Sequence, residues 1–165
     1  MVYIDHPSTN ANFNFALEKY AMEALDIADE YFMFWRTAPT LMIGRFQNTL
    51  AEINMDFAQK HHINIVRRIS GGGTIYTDMG GWQFSFISRK PDNQTIDFSR
   101  YTEPIIQALS SIGVSACLSG RNDLLIDGKK FSGNAQYKPT RASLHHGSIL
   151  FHTDLDKLLP ALNVD

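Results

Sequence analysis

Cysteine is almost missing from this chain: Cys117 stands alone in 165 residues, so no internal disulfide can form. That usage fits a reducing compartment, and the cytoplasm is the expected location. A basic excess is missing too. Fifteen Lys and Arg stand against seventeen Asp and Glu, a formal charge of −2, which withholds the global positive field that nucleic-acid binding relies on. Nucleic acid is therefore not an expected partner, and any anion site has to be assembled locally. No apolar run approaches the roughly 18 residues that span a bilayer, and MVYIDHPSTN is not a basic start followed by a long apolar stretch, so no membrane partner is expected. The familiar zinc spacings are absent as well. The pairs His61-His62 and His145-His146 offer neither an i, i+4 helical arrangement nor cysteine partners. Long repeats, low-complexity stretches and a linker between two composition regimes are all lacking, so 1–165 is expected to be one domain.

The residues present are 44% hydrophobic, enough for one core. Asn12 to about Ala28 places Phe13, Leu17, Tyr20, Ala21, Ala24 and Leu25 at helical spacing, with Asn10 or Asn12 as the cap. YFMFWR (31–36) and TLMIGR (40–45), separated by Ala-Pro, predict a strand pair. Asn54 is placed to cap a short helix over Met55 to His61, with His61-His62 closing it. A strand over 63–69, three glycines at 71–73, and strands over TIYT and WQFSFISR follow. Segment 90–100 is polar and turn-rich, and Thr102 to Ser111 reads as an amphipathic helix closed at Gly113. DLLI, Asp127-Gly128 and KKFSG predict a hairpin with a type I′ turn. GSILFHT (147–153) predicts a further strand and Asp154 to Leu162 a last helix. The class is mixed α/β with a largely antiparallel sheet.

Chemistry concentrates in Arg67-Arg68-Ile69-Ser70-Gly71-Gly72-Gly73-Thr74-Ile75-Tyr76. Three glycines let backbone N–H groups close on an anion, and two guanidinium groups beside them would answer phosphate charge. Read alone, the run is equally a flexible hairpin loop with solvated arginines; it is neither the P-loop nor GxGxxG. In KKFSGNA, strand alternation allows only one of Lys129 and Lys130 to face a site. Alone, KK after Asp-Gly also reads as an ordinary solvated hairpin end. His145-His146-Gly147 precedes the expected strand and is placed to line a pocket. Asp78 and Asp123 are candidates for Mg2+, which takes oxygen ligands and shares them with phosphates, and both also suit turns. Cys117, in the small-residue segment GVSACLSG, reads as a buried structural thiol.

Taken in order, NFNFALEKY, WRTAPTLMIGRFQN, RRISGGGTIYTDMG, SGRNDLLIDGKKFSGNAQ and LHHGSILF resemble the lipoate-protein ligase family over nearly the whole chain. The resemblance implies a catalytic domain of the kind shared with biotin ligases and class II aminoacyl-tRNA synthetases, a twisted, mixed and largely antiparallel sheet flanked by helices. It implies ATP with Mg2+ and lipoic acid as reactants, lipoyl-AMP as the held intermediate, and transfer to a lysine of an acceptor. The acceptors implied are lipoyl domains of 2-oxoacid dehydrogenase complexes or the glycine cleavage H protein. By position, Arg68, Gly73, Thr74, Ile75 and Tyr76 correspond to the nucleotide-binding stretch, and Lys130 to the lysine that contacts both phosphate and lipoyl carbonyl. Arg67, Ser70, Gly72, Asn14 and His145 correspond to lipoate-pocket residues, and Phe15, Leu17 and Tyr76 are candidates for an apolar tunnel. The chain departs from the pattern at Thr77 and Gly81, where a histidine and an asparagine are frequent. Family chains continue past Asp165 with a basic segment and often an accessory domain, so the N-terminal portion of a catalytic domain is expected here. Two rival readings are an ATP-independent octanoyl or lipoyl transferase using Cys117, and a fragment that binds lipoate or its adenylate without catalysis.

Overall fold

Strand alternation sorts the apolar residues onto two faces, and the helices close over both. The computed structural model describes residues 1–26, 30–89 and 97–163. In chain order the elements are β1 (Val2–Tyr3), α1 (Ala11–Ala24), β2 (Tyr31–Trp35), β3 (Thr40–Ile43), α2 (Thr49–Glu52), α3 (Met55–Lys60), β4 (Asn64–Arg67) and β5 (Ile75–Thr77). There follow β6 (Gly81–Arg89), α4 (Ser99–Ser111), β7 (Ala116–Ser119), β8 (Asp123–Ile126), β9 (Lys129–Tyr137), β10 (Ala142–Leu150) and α5 (Leu155–Ala161). A seven-stranded sheet runs β1-β2-β6-β10-β9-β8-β7, and a three-stranded sheet runs β4-β3-β5. Pairing is antiparallel except for β1 with β2 and β3 with β4. The expected mixed α/β class, dominated by antiparallel pairs and flanked by helices, is what forms.

On β2, Tyr31, Met33 and Trp35 face a core shared with Ala21 and Met22 of α1 and with Met42 and Val66 of the small sheet. Phe32 and Phe34 point the other way, joining Phe84, Phe86 and Tyr101 beneath α4. A third cluster, Leu41, Ile43, Ile53 and Tyr76, packs the small sheet against α3 and α5. Caps fix the helix starts. Asn10 Oδ1 accepts from the N–H groups of Asn12 (2.9 Å) and Phe13 (3.2 Å), and Asn54 Oδ1 from Phe57 (3.1 Å), each cap contributing about 1 kcal/mol. The Asp127-Gly128 turn forms with φ of 49° and 73°, as its hairpin requires.

Four expectations need correction. YFMFWR and TLMIGR do not pair with each other: β2 joins β6 in the large sheet, while β3 lies between β4 and β5. Solvent exposure explains why, since β2 alternates between buried and half-buried residues whereas all four residues of β3 are buried, as befits a strand covered on both faces. The first helix stops at Ala24, and residues 27–29 of its expected end lie outside the described residues, as do 90–96 of the polar segment. The last strand starts at Ala142, so His145-His146-Gly147 lies inside it. Cys117 is exposed on the edge strand β7, because at the sheet's end alternation leaves one face uncovered.

Candidate active site

A cavity of roughly 170 Å³ opens on the α1 face of the large sheet. Phe15, Trp35, Met42 and Ile75 supply apolar wall, while Arg68, the Gly72 to Thr74 loop, Gln83, Asn122, Lys130 and His146 supply polar wall. The strand order makes it a slot. From β2, which carries Trp35, to β9, which carries Lys130, are three strand steps, roughly 14 Å at the usual spacing. A second hollow of roughly 270 Å³ shares Gly72, Asn122, Asn134 and Ala135 with the first and adds Phe98, Arg121 and Gln136.

The glycine loop is built around one buried cation. Arg68 is 7% exposed and spends its N–H groups on the carbonyls of Met42 (2.8 Å), Gly71 (3.1 Å) and Gly73 (2.6 Å), with Nε on Ser70 Oγ at 3.2 Å. Burial lowers its pKa to about 10, with the Glu18 carboxylate opposing, so it stays cationic at neutral pH. Turning the loop carbonyls toward Arg68 leaves the amides of Gly71, Gly72 and Gly73 without a protein acceptor among the described residues. Gly72 has φ +100°, which side chains resist, and a Cβ on Gly44 would lie 1.9 Å from the Gly72 oxygen. Arg67, by contrast, is exposed and works on the outside, donating to the carbonyls of Gly44 (2.8 Å) and Gln47 (2.8 Å) and to Thr49 Oγ1 (2.7 Å).

Lys130 lines the slot and pairs with Asp123 at 2.8 Å, its side chain 53% exposed. Such a half-exposed pair is worth about 0.2–1 kcal/mol, so the ammonium can be redirected to a bound anion at little cost. A bulge sets its direction: Leu125 pairs Lys130 while Leu124 pairs Ser132, which leaves Phe131 as the extra residue. Lys129 is exposed and outside the cavity wall.

Alternation also splits the histidine pair. His146 opposes Ser85 and faces the slot, whereas His145 opposes Phe86 and faces α4. His145 is fully buried among Phe84, Phe86, Phe98 and Tyr101. Its Nδ1 accepts from Gln136 Nε2 and its Nε2–H donates to Asn134 Oδ1, both at 3.1 Å; Asn134 in turn donates to the Asn122 carbonyl at 3.0 Å. Burial, then the neighbouring His146, lowers its pKa to about 3. It therefore props Asn134 from behind, and the expected pocket position of His145 belongs to His146.

Behind the wall a polar chain runs across the core. Trp35 Nε1 donates to Ser85 Oγ at 3.1 Å, Ser85 donates to Glu18 Oε1 at 2.5 Å, and His146 Nδ1 reaches Glu18 at 3.1 Å. His146 Nε2 meets Ser70 Oγ at 2.6 Å. Glu18 is not among the expected site residues, and its only signal in the sequence is spacing: Asn14 and Glu18 fall on the buried helical stripe of Ala11, Ala21 and Met22. Asn14 itself is buried away from the slot, donating toward the carbonyls of Ser8 (3.3 Å) and Arg36 (3.4 Å). Ser70, 1% exposed, stands behind the loop rather than on the wall. Of the tunnel candidates, Phe15 lines the slot, Leu17 packs in the core beside it and Tyr76 lies in the small-sheet core, its hydroxyl pushed up to about 12 by burial and by Asp78 and Asp154. Thr77 Oγ1 accepts from Gln83 Nε2 at 2.6 Å and so fixes a wall residue.

The two acidic candidates for Mg2+ differ. Both oxygens of Asp78 are taken by backbone donors, Gly80 N (2.8 Å) and Asp154 N (2.9 Å), so this side chain ties the β5–β6 turn to α5 and does not fit a metal ligand. Asp123 fits better, beside the slot with only the half-exposed Lys130 ammonium on Oδ1 among the described residues. No group of three or more His, Cys, Asp or Glu suited to a metal occurs among the described residues. Magnesium in nucleotide sites needs only one or two carboxylates beside the phosphates.

Residues 10–165 match the family model of the lipoyl protein ligase A/B catalytic domain. The chain is 41% identical to lipoate-protein ligase LplJ of Bacillus subtilis (strain 168) over 165 residues, covering 99% of this chain and 50% of that protein. It thus spans about half the length of the curated relatives it matches. Among solved structures, it superposes on a bipartite lipoate protein ligase of Thermoplasma acidophilum, described together with its E2 lipoyl domain, with a TM-score of 0.89 and 29% identity over 99% of this chain and 66% of that one. A lipoate-protein ligase A bound with ATP gives a TM-score of 0.87 and 27% identity over 99% of this chain and 71% of that one.

Proposed function

From the premise that this chain belongs to the lipoyl protein ligase A/B catalytic domain family, we propose that it activates lipoate with ATP and passes the lipoyl group to a lysine of an acceptor domain. The observation that carries this reading is the slot itself, which runs from Phe15 and Trp35 to a lysine beside free glycine amides. An acyl chain fits the apolar stretch and places its carboxylate at Lys130. The nucleotide lies over the Gly72 to Thr74 loop, with its phosphates on the loop amides, and the hollow walled by Phe98 and Arg121 offers an aromatic face and a cation to its remainder.

The carboxylate then attacks the α-phosphorus, and pyrophosphate leaves. Lys130, freed from Asp123, offsets the charge that builds on the phosphoryl oxygens, and the loop amides add fixed donors. Magnesium bound to the phosphates would neutralise the departing pyrophosphate, with Asp123 as its carboxylate partner. In the second step the acceptor amine adds to the acyl carbonyl and AMP departs. Lys130 stands where the oxyanion develops. The acceptors that suit this chemistry are lipoyl domains of 2-oxoacid dehydrogenase complexes or the glycine cleavage H protein. Cys117 lies on the exposed edge strand and outside the slot, so an ATP-independent route through a cysteine thioester gains nothing from the geometry.

Mass spectrometry of an acceptor lipoyl domain, incubated with the protein, lipoate, ATP and Mg2+, tests the reading. A mass gain of one lipoyl group that requires ATP supports it. A gain without ATP, or lipoate binding with no gain, overturns it in favour of the transferase or of a binding fragment.

A further inference from the structure

The chain Trp35, Ser85, Glu18, His146, Ser70, Arg68 is continuous, and each member is at most 8% exposed. It starts on the apolar wall of the slot, passes through the core and ends on the cation that shapes the glycine loop. Its two buried charges, Glu18 and Arg68, sit at either side of the His146–Ser70 contact, with no other ion pair to either among the described residues. We propose that this relay couples the two ligands of the slot, so that filling the acyl stretch tightens nucleotide binding at the loop and the reverse. The proposal rests on the functional reading above.

At about 30 Å³ per molecule in the liquid, an empty slot of this volume holds on the order of five waters, which compete for the wall-facing edges of Trp35, His146 and Arg68. An acyl chain displaces them. In the drier surroundings the bonds Glu18–His146 and Ser70–Arg68 strengthen, and a chain of such bonds polarises along its length. Arg68 then holds the carbonyls of Gly71 and Gly73 more firmly, and the amides on the far side of those peptides stay aimed at the phosphates. Glu18, Ser70 and Ser85 are positioning residues in this scheme; they act through His146 and Arg68. Linkage makes the effect reciprocal: each ligand raises the other's affinity by one common factor.

The test is a thermodynamic cycle by calorimetry on the whole chain, with lipoate and α,β-methylene-ATP, an analogue that cannot be adenylated. The affinity for the analogue is measured with and without saturating lipoate, and the affinity for lipoate with and without the analogue. Wild type is expected to give the same gain, about tenfold or more, in both directions. In Ser70→Ala, which cuts the relay but leaves the carbonyl bonds of Arg68, and in Glu18→Gln, which keeps shape and removes charge, the factor should fall below about threefold whatever happens to the separate affinities. Wild-type protein that binds both ligands with no coupling overturns the relay while the functional reading stands, and this outcome needs no variant to fold. Full coupling retained in folded Ser70→Ala and Glu18→Gln overturns it equally. Failure to bind either ligand removes the functional reading and the relay with it.

Discussion

At the residue scale, two side chains part company with their neighbours in sequence. Lys130 faces the slot and Lys129 faces solvent. Lys130→Ala is expected to lower lipoate-dependent pyrophosphate release by at least about tenfold to a hundredfold, the range for losing one preorganised donor to a developing oxyanion. Lys129→Ala should change it little; equal losses in the two variants would remove the assignment. His145 makes a prediction about pH. Its folded pKa of about 3 lies below the ordinary value of 6.5, so between those limits the unfolded chain binds more protons. Its contribution to stability is complete above about pH 6.5 and is lost as pH falls toward 3, with a slope of up to about 1.4 kcal/mol per pH unit. Urea unfolding of wild type and His145→Gln at pH 7 and pH 4.5 checks this. The variant should show the shallower loss, and parallel losses would contradict the neutral, hydrogen-bonded assignment of the imidazole.

At the scale of elements, caps and turns were legible and pairings were less so. Asn10, Asn54, Asp127-Gly128 and Gly113 announce themselves because each satisfies a local backbone need that its own side chain, or lack of one, meets. The partner of a strand is a long-range choice. TLMI carries no label saying that it enters a second sheet, although its unbroken burial is a trace of that. The glycine loop is where sequence and pairing meet, because Gly44 from the end of β3 must pass against Gly72. Gly44→Ala should therefore disrupt the loop even though Gly44 lies outside the glycine run, with a stability loss of about 1–3 kcal/mol by overpacking and weakened nucleotide binding. Gly72→Val should lose nucleotide affinity, because its side chain resists φ +100° and its Cβ would stand 2.9 Å from Arg68 Nη2, while the exposed position leaves the core of the fold untouched. Calorimetric titration with ATP alongside thermal unfolding separates the two. Normal ATP binding by folded Gly72→Val would show that the loop does not hold phosphate.

For the molecule as a whole, the family resemblance was readable because its motifs are scattered over nearly the entire chain in one order, and the fold brings them to a single slot. Lys130, Arg68, Gly72 to Ile75 and Phe15 line it. Arg67, Ser70, Asn14, Tyr76 and His145 do not line it; they brace the β3–α2 connection, the glycine loop, the helix start, the small-sheet core and Asn134 in turn. Motif position fixes which stretch of chain is near a site, but the face a side chain takes depends on strand register and bulges, and the split that turns His146 to the slot and His145 away follows only once β6 and β10 are in register. The central claim is that the slot joins a lipoyl carboxylate to a nucleotide at Lys130. Its most direct test is exchange of radiolabelled pyrophosphate into ATP by this chain with Mg2+, in the presence and absence of lipoate. The account predicts exchange that depends on lipoate and collapses in Lys130→Ala; lipoate and ATP both bound with no exchange, or exchange undiminished in that variant, would contradict it.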